Sequence, residues 1–551
     1  MLNGKDFRLA LISGANNIVN HKKDVDALNI FPVPDGDTGT NMSMTISAAA
    51  RELKQMDSND LSEVSQRAAA ALLRGARGNS GVILSLIFRG VSKGFKGFAE
   101  ADGKAVANAL MLGKDSAYKA VMKPTEGTIL TVIRCAAQAV ENTDEPSAEK
   151  VLKTAFKAAN DALAKTPDML PVLKQAGVVD AGGQGLVYIL EGMLSYLEKG
   201  IVIESEEQQT TANDTQSNKS VVAAASGDIE FGYCSEFLIN KDNALGGDPR
   251  ALKAYLESIG DCVVVVEDDD IVKVHVHSNE PGNVIQAALK IGELTNIKID
   301  NMRFQHRNAD VGLENKKSSA PIVNSPVSAE QTEEYGFVAV AAGEGFEELF
   351  KEIGVSQVVS GGQTMNPSTD DILNAVMATP AKTVFVFPNN KNIIMAAEQT
   401  VNLADRKVYV LPTKSVPQGI SAILSFNEGA SVQENLMEMQ KAAESVHTAQ
   451  ITFAARDSEM LEQRIRKGQI LGMEDGKVTL VDNDIVTAAY RTARRLVKKH
   501  NGTLVTVYYG KEADEGLTEQ LVKKLSERFP NVEISAISGG QPVYYFIISV
   551  E

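Results

Sequence analysis

The chain contains no tryptophan, only three cysteines and only six histidines in 551 residues. Three thiols, Cys135, Cys234 and Cys262, cannot staple a fold with disulfides. Such sparse use fits a reducing cytoplasm, the compartment expected here. No apolar run approaches the roughly 18 residues of a membrane-crossing helix, so no membrane span is expected. The opening MLNGKDFRLALISGANN scatters charges through a short apolar stretch, which is not the pattern of a secretory leader. Positive charge is in deficit: Lys and Arg total 55 against 71 Asp and Glu, a net charge of -16. So acidic a surface repels a phosphodiester backbone and argues against nucleic acid as a partner. The G-x-x-x-x-G-K-[ST] run of a P-loop is missing too, as is the signature set of the protein kinases. What is present is ordinary globular composition, 44% hydrophobic and 23% charged. At about 150 residues per domain the length suits about three or four domains.

Two polar stretches divide the chain. Residues 204–227 (ESEEQQTTANDTQSNKSVVAAASG) hold no aromatic side chain, and residues 307–334 are rich in Ser, Pro and charge. Each buries too little apolar surface to offset the entropy of ordering it, so both are expected to be linkers. Three folded units are expected: 1–203, 228–306 and 335–551. In the first, Phe7, Leu11, Ala15 and Ile18 fall at helical spacing, as do Leu61, Val64, Ala68 and Leu72, which predicts a many-helix bundle. In the second, strands near 230–239, 262–267, 271–277 and 296–303 interleave with helices near 249–259 and 283–292. That β-α-β-β-α-β order is the order of a ferredoxin-like α+β sandwich. In the third, YGFVAVAAG, KTVFVFP, RKVYVLP and TLVTVYYG alternate with helical patterns, which predicts an open α/β sheet of parallel strands. With two linkers, nothing in the sequence fixes how the three units are placed.

The chemistry of the first unit starts at Asn29-Ile-Phe-Pro-Val-Pro-Asp35-Gly-Asp37-Thr-Gly-Thr-Asn41. Two prolines hold the approach extended and the glycines allow a tight turn between acids. Asp35 and Asp37 repel one another unless a cation neutralises them, which suggests a hard divalent ion. An EF-hand reading fails, because a loop begun at Asp35 puts Gly39 fifth and Ile46 twelfth, where a bidentate Glu is required. Magnesium, which shares its ligands with phosphates and water, suits the pair better. The competing reading is a turn whose acids merely cap a helix.

Three further clusters open helices with small residues: Arg77-Gly-Asn79-Ser80-Gly81, Thr125-Glu-Gly-Thr128 and Asp180-Ala-Gly182-Gly-Gln-Gly. Exposed backbone N–H groups at a helix start favour a phosphate. Each could equally be a plain cap, yet together with the aspartate loop they look like a nucleotide cradle. These motifs resemble the nucleotide-binding subunit of the dihydroxyacetone kinases. The whole chain, down to its GGQPVYYFIISVE ending, is similar to the catalytic subunit of the bacterial fatty acid kinases. The resemblance implies that 1–203 is an eight-helix barrel binding ATP and two magnesium ions, with Asp35 and Asp37 catalytic and ligating metal. It carries nucleotide contacts onto Asn41, Asn79, Ser80, Gly81, Thr128, Asp180 and Gly182. Where the dihydroxyacetone kinases have a third aspartate, this chain has Asn29, whose amide oxygen can ligate magnesium without adding charge.

The resemblance further implies that 335–551 is DegV-like and docks a separate DegV-type fatty-acid-binding protein. The product would be acyl phosphate for phospholipid synthesis, and the enzyme a homodimer. A carboxylate acceptor with a pKa of roughly 4–5 is already ionised at neutral pH and needs no base. The one histidine of the first unit, His21, lies outside every cluster and reads as a surface residue. Two alternatives stand beside this: a kinase of a small polyol, and a nucleotide-sensing scaffold without turnover. The loop Gly361-Gly362-Gln363-Thr364 could touch a partner, but a structural turn is the simpler reading.

In the middle unit, I-V-K-V-H-V-H places His275 and His277 on one face of a strand, and Cys234 and Glu236 share a face of another. If those strands are neighbours, Cys234, His275 and His277 form a set of zinc-type ligands, with water, Glu236 or His306 as the fourth. The plain alternative is a pair of solvated histidines beside a thiol. The resemblance favours zinc. Cys135 and Cys262 read as buried structural thiols.

Overall fold

Apolar residues at three- and four-residue spacing fold the amino-terminal region into helices, and polar caps mark where each begins. In the computed structural model, which describes residues 1–29, 37–121, 123–205, 231, 233–241, 247–267, 271–301, 328–362, 365–460 and 463–551, these are α1 (Gly4–Asn20), α2 (Lys22–Ala27), α3 (Thr38–Lys54), α4 (Leu61–Arg74), α5 (Gly78–Gly94), α6 (Gly103–Ala120), α7 (Ile129–Gln138), α8 (Ala148–Ala164), α9 (Thr166–Met169), α10 (Pro171–Ala176) and α11 (Ala181–Lys199). Asn3, Asp60, Asp102, Thr128, Ser147 and Asp180 each accept a backbone N–H at a helix start. Such a cap contributes about 1 kcal/mol. The long helices pack in a closed ring, α1–α3–α4–α5–α6–α7–α8–α11 and back to α1. A short antiparallel pair, β1 (Leu2–Asn3) with β2 (Glu100–Ala101), ties the start of the chain to the approach to α6. Leu11, Ile18, Met42, Ile46, Leu84, Ile133 and Leu186 fill the interior of the ring. A helical barrel results, and its helix starts carry the clusters singled out in the sequence.

The middle unit has strands β3 (Tyr233–Lys241), β4 (Gly260–Glu267), β5 (Ile271–Ser278) and β6 (Gly292–Asn301), with helices Pro249–Ile259 and Pro281–Ala288 between them. Its sheet is antiparallel throughout, in the order β4-β5-β3-β6. Phe237, Ile239, Val272, Val274 and Val276 face Leu252, Leu256 and Val284 of the helices.

Residues 1–211 and 326–551 form one compact unit, and 212–325 form a second. The first and third regions share a core: Ala76, Val82 and Leu86 pack in one cluster with Val338, Val340, Val359, Ile372, Val376 and Ile393. The carboxy-terminal region holds β7 (Glu333–Ala341), β8 (Gln357–Ser360), β9 (Ala381–Phe387) and β10 (Lys407–Val410) in a parallel sheet of order β10-β9-β7-β8. That much agrees with the parallel α/β expectation. A second sheet corrects the rest: β11 (His447–Phe453), β14 (Ile470–Glu474), β15 (Lys477–Asp482), β16 (Leu504–Tyr509), β17 (Glu533–Ser538) and β18 (Phe546–Val550) run β15-β14-β11-β18-β16-β17. In it only β16 and β17 are parallel. Apart from it, β12 (Ser458–Met460) and β13 (Gln463–Ile465) pair with one another, antiparallel. Ahead of β7, Ser328 hydrogen-bonds Asp405 and Arg406, fastening the chain before the strand begins. Among the described residues no helix is long and apolar enough to cross a membrane.

One reading of a single residue is corrected. Cys135 is half-buried and free, because Ile129, Leu130, Val132, Ile133 and Ala136 take the core face of α7 and leave it at the edge. His21, read as a surface residue, is half-buried: it stacks on Tyr188 with ring centroids 4.3 Å apart, and its Nδ1 lies 2.9 Å from the carbonyl oxygen of Asn17.

Candidate functional site

At one end of the ring a cavity of about 430 Å³ gathers residues from five separate stretches of chain. That volume lies within the range of small-molecule sites. Asn29, Asp37, Asn41, Asn79, Ser80, Thr128, Asp180 and Gly182 all line it. Asp35 and the rest of 30–36 lie outside the described residues. Gly81 does not line the cavity. A Cβ there would collide with Thr45, and its N–H is already bonded to the carbonyl of Arg77, so its service is to pack α5 onto α3.

The start of α3 bears on one half of the aspartate loop, Asp37. Asp37 occupies the N-cap position, yet its side chain makes no cap hydrogen bond. Asp26 caps the helix instead: its carboxylate accepts from the N–H of Gly39 at 2.6 Å, the N–H of Thr40 at 3.1 Å and the hydroxyl of Thr40 at 2.7 Å. Asp37 lines the cavity, and its Oδ2 accepts from Asn366 Nδ2 at 2.6 Å. Beside it, the amide oxygen of Asn29 accepts from the Thr38 hydroxyl at 2.9 Å.

The three glycine-rich helix starts are not equivalent. Thr128 caps α7 by accepting from Leu130 N–H, and Asp180 caps α11 by accepting from Gly183 N–H at 2.7 Å. At α5 the N-cap residue is Arg77, with no side-chain cap and no acid in the first turn. Its partial positive charge is therefore available to an anion. Gly78 is required there: its φ is +58°, and a Cβ would stand 2.6 Å from Asn41 Nδ2. The buried Oδ1 of Asn79 has no hydrogen-bond partner among the described residues. A polar atom so placed points to a ligand or water that completes it. Burial pushes the Asp180 carboxyl up to about 6, against the hydrogen bonds from Gly183 and Ile129 that hold it down.

The walls divide by chemistry. Ile83, Val121, Ile129 and Leu130 offer an apolar surface suited to a base, while Asp37, Asn41, Asn79 and Ser80 cluster polar groups suited to phosphates and a cation. The donor set fits a magnesium-bound nucleotide. Sequence reasoning included Thr38 and Thr125 in its motifs without giving either a contact, and it missed Lys123 beside them and Lys391 and Asn392 of the carboxy-terminal region altogether.

In the middle unit β3 and β5 are neighbours, with Cys234 opposite His277 and Glu236 opposite His275 in register. The side chains of Cys234, Glu236, Cys262 and His275 lie outside the described residues, as does His306. Among the described residues no cluster of three or more His, Cys, Asp or Glu could hold a metal. In the loop after β8, Gly361 and Gly362 both have positive φ, while Gln363 and Thr364 lie outside the described residues.

Residues 32–195 match the DAK2 domain family, 230–309 the FakA-like middle domain of the fatty acid kinases, and 336–551 their FakA-like C-terminal domain. Among curated proteins, the protein YloV of Bacillus subtilis is 42% identical across 100% of this chain and 99% of its own length. An uncharacterized protein of Staphylococcus epidermidis is 38% identical over the same shares. Solved structures give weaker likenesses. The dihydroxyacetone kinase of C. freundii in complex with AMP-PNP and Mg2+ is 20% identical over 34% of this chain and 33% of its own, with a TM-score of 0.28. The Streptococcus pneumoniae fatty acid kinase B3 protein loaded with linoleic acid is 13% identical over 40% of this chain and 99% of its own, with a TM-score of 0.30. With relatives at this identity across the chain and domain matches over 32–195, 230–309 and 336–551, the chain belongs to the FakA-like family of fatty acid kinase proteins.

Proposed function

We propose that the protein transfers the γ-phosphoryl group of ATP to the carboxylate of a fatty acid, which a separate DegV-type binding protein presents. The products are acyl phosphate and ADP. The observation that carries this reading is the Asp37 side chain, which leaves the cap of α3 to Asp26 and lines a cavity where Asn41, Asn79, Ser80 and Asp180 converge. Asp37, with Asp35 and Asn29, would hold magnesium, which when bound neutralises charge on the phosphates. The start of α5, with Asn79 and Ser80, binds and orients the phosphate chain. In the step, an acceptor carboxylate oxygen forms a bond to the γ-phosphorus as the bond to the bridging oxygen of ADP breaks. No proton moves, because the acceptor is already ionised. This suits a cavity lined by no histidine among the described residues.

The carboxy-terminal region is proposed as the DegV-like dock for the carrier. The middle unit is proposed as a ferredoxin-like sandwich, on the strand order β4-β5-β3-β6, with zinc held by Cys234, His275 and His277. Homodimerisation is proposed from the family alone. Incubating the protein with ATP, magnesium and carrier-bound fatty acid, then adding hydroxylamine, should yield a hydroxamate. Phosphorylation of dihydroxyacetone in place of the fatty acid would overturn the acceptor assignment.

A further inference from the structure

The wall of the nucleotide cavity is not supplied by the helical barrel alone. The carboxy-terminal region reaches it at two places. In the first, Thr369 N–H donates to the carbonyl of Ala76 at 3.1 Å, Ser368 pairs with Arg77 as a β-bridge, and the Arg77 guanidinium donates to the carbonyl of Asn366 at 2.8 Å. The same guanidinium pairs with Asp371 at 3.3 Å. This clasp sets Asn366, itself only 3% exposed, against the Asp37 carboxylate.

In the second, Lys391 and Asn392 line the cavity together with residues of the helix starts. Their turn is held rather than loose. Asn390 donates to the carbonyl of Gly362, its side-chain oxygen accepts from Asn392 N–H at 2.9 Å, and the next residue, Ile393, is fully buried in the core shared with Val82 and Leu86. Of the charged side chains lining the cavity, Asp37 and Asp180 are acidic and Lys123 and Lys391 are basic. A triphosphate in this space adds several negative charges, and an ammonium group fixed at its rim is attracted by them.

We propose that Lys391 is a phosphate-contacting residue of the nucleotide site, delivered in cis by the carboxy-terminal region. The assignment rests on the kinase reading above and extends it: the site is composite, and the region proposed to dock the carrier also closes on the nucleotide. Lys391 is exposed, so its replacement should leave the fold intact. The test is calorimetric titration of the full chain with ATP and with AMP, each with magnesium. Lys391→Ala should weaken ATP binding about tenfold and AMP binding by less than about twofold, and Lys391→Arg should restore most of the loss. ATP held equally by wild type and Lys391→Ala overturns the assignment alone. A wild-type protein that bound no ATP would overturn the kinase reading and the assignment together.

Discussion

Asp26 and Asp37 flank the same helix start and do different work there. Asp26 satisfies two backbone donors and a hydroxyl of the first turn of α3, while Asp37, at the N-cap position, satisfies none. Replacing each by alanine should therefore tell them apart by binding. Asp26→Ala removes the cap and should cost about 1–2 kcal/mol, read as a lowered denaturant midpoint. Asp37→Ala removes no cap but leaves the buried Asn366 amide without its acceptor, so its stability should fall by about 1 kcal/mol, while magnesium-dependent ATP binding in calorimetry should be abolished by Asp37→Ala and kept by Asp26→Ala. ATP binding kept by Asp37→Ala would remove the basis of the site. Residue types foretold half of this division: two acids among glycines announced a charge problem, but which acid caps depends on a contact from Asp26, thirteen residues before Gly39, that no local motif encodes. Lys391 was beyond reach for the same reason, since only tertiary packing brings it to the cavity that Asp37 lines.

At the scale of the element, the three glycine-rich starts looked alike in sequence and differ in how their first turns are satisfied. That of α11 carries an acid whose pKa, about 6, stands above its ordinary 3.8 because burial disfavours the charged form. Between those values the folded state binds more protons than the unfolded state. This group's share of the stability is thus present at low pH, falls as pH rises through the interval, and stays lost above about pH 6. Asp180→Asn keeps a capping oxygen and removes the ionisation. In nucleotide-free thermal melts, the variant's gain over wild type should be small near about pH 4 and grow to a plateau above about pH 6. A gap that ignored pH would show that the buried charge carries no such cost. Elements were legible wherever period and length agreed, as in the helices of the barrel and the alternating strands of the middle unit. They were lost in the last sheet. There Asp475-Gly476, with both φ angles positive, turns β14 back on β15 as an antiparallel hairpin. An Asp-Gly pair between strands is a strong hairpin signal, and the strand-helix alternation around it masked it.

For the whole molecule, the consequential feature is the core that the amino- and carboxy-terminal regions hold in common although the middle unit separates them in sequence. Two polar linkers left the placement of the three units open, because composition reports whether a segment can fold and not what its neighbours bury together. Val82, on α5, is fully buried between Val338, Ile372 and Val384 of the other region. Since α5 also begins at the cavity that Asn79 and Ser80 line, one helix joins the shared core to the candidate site. Bodies that share a core should unfold together, whereas a unit with its own core can unfold alone. Scanning calorimetry of the full chain should thus show the barrel and the carboxy-terminal region melting in one transition. Val82→Asp puts an unpaired charge into that core, at a cost of several kcal/mol. It should split the transition in two and, by releasing the turn that carries Lys391, weaken ATP binding with Asp37 still in place. A variant that melted as one body and bound ATP as tightly as wild type would mean that the two regions are coupled through something other than this apolar contact.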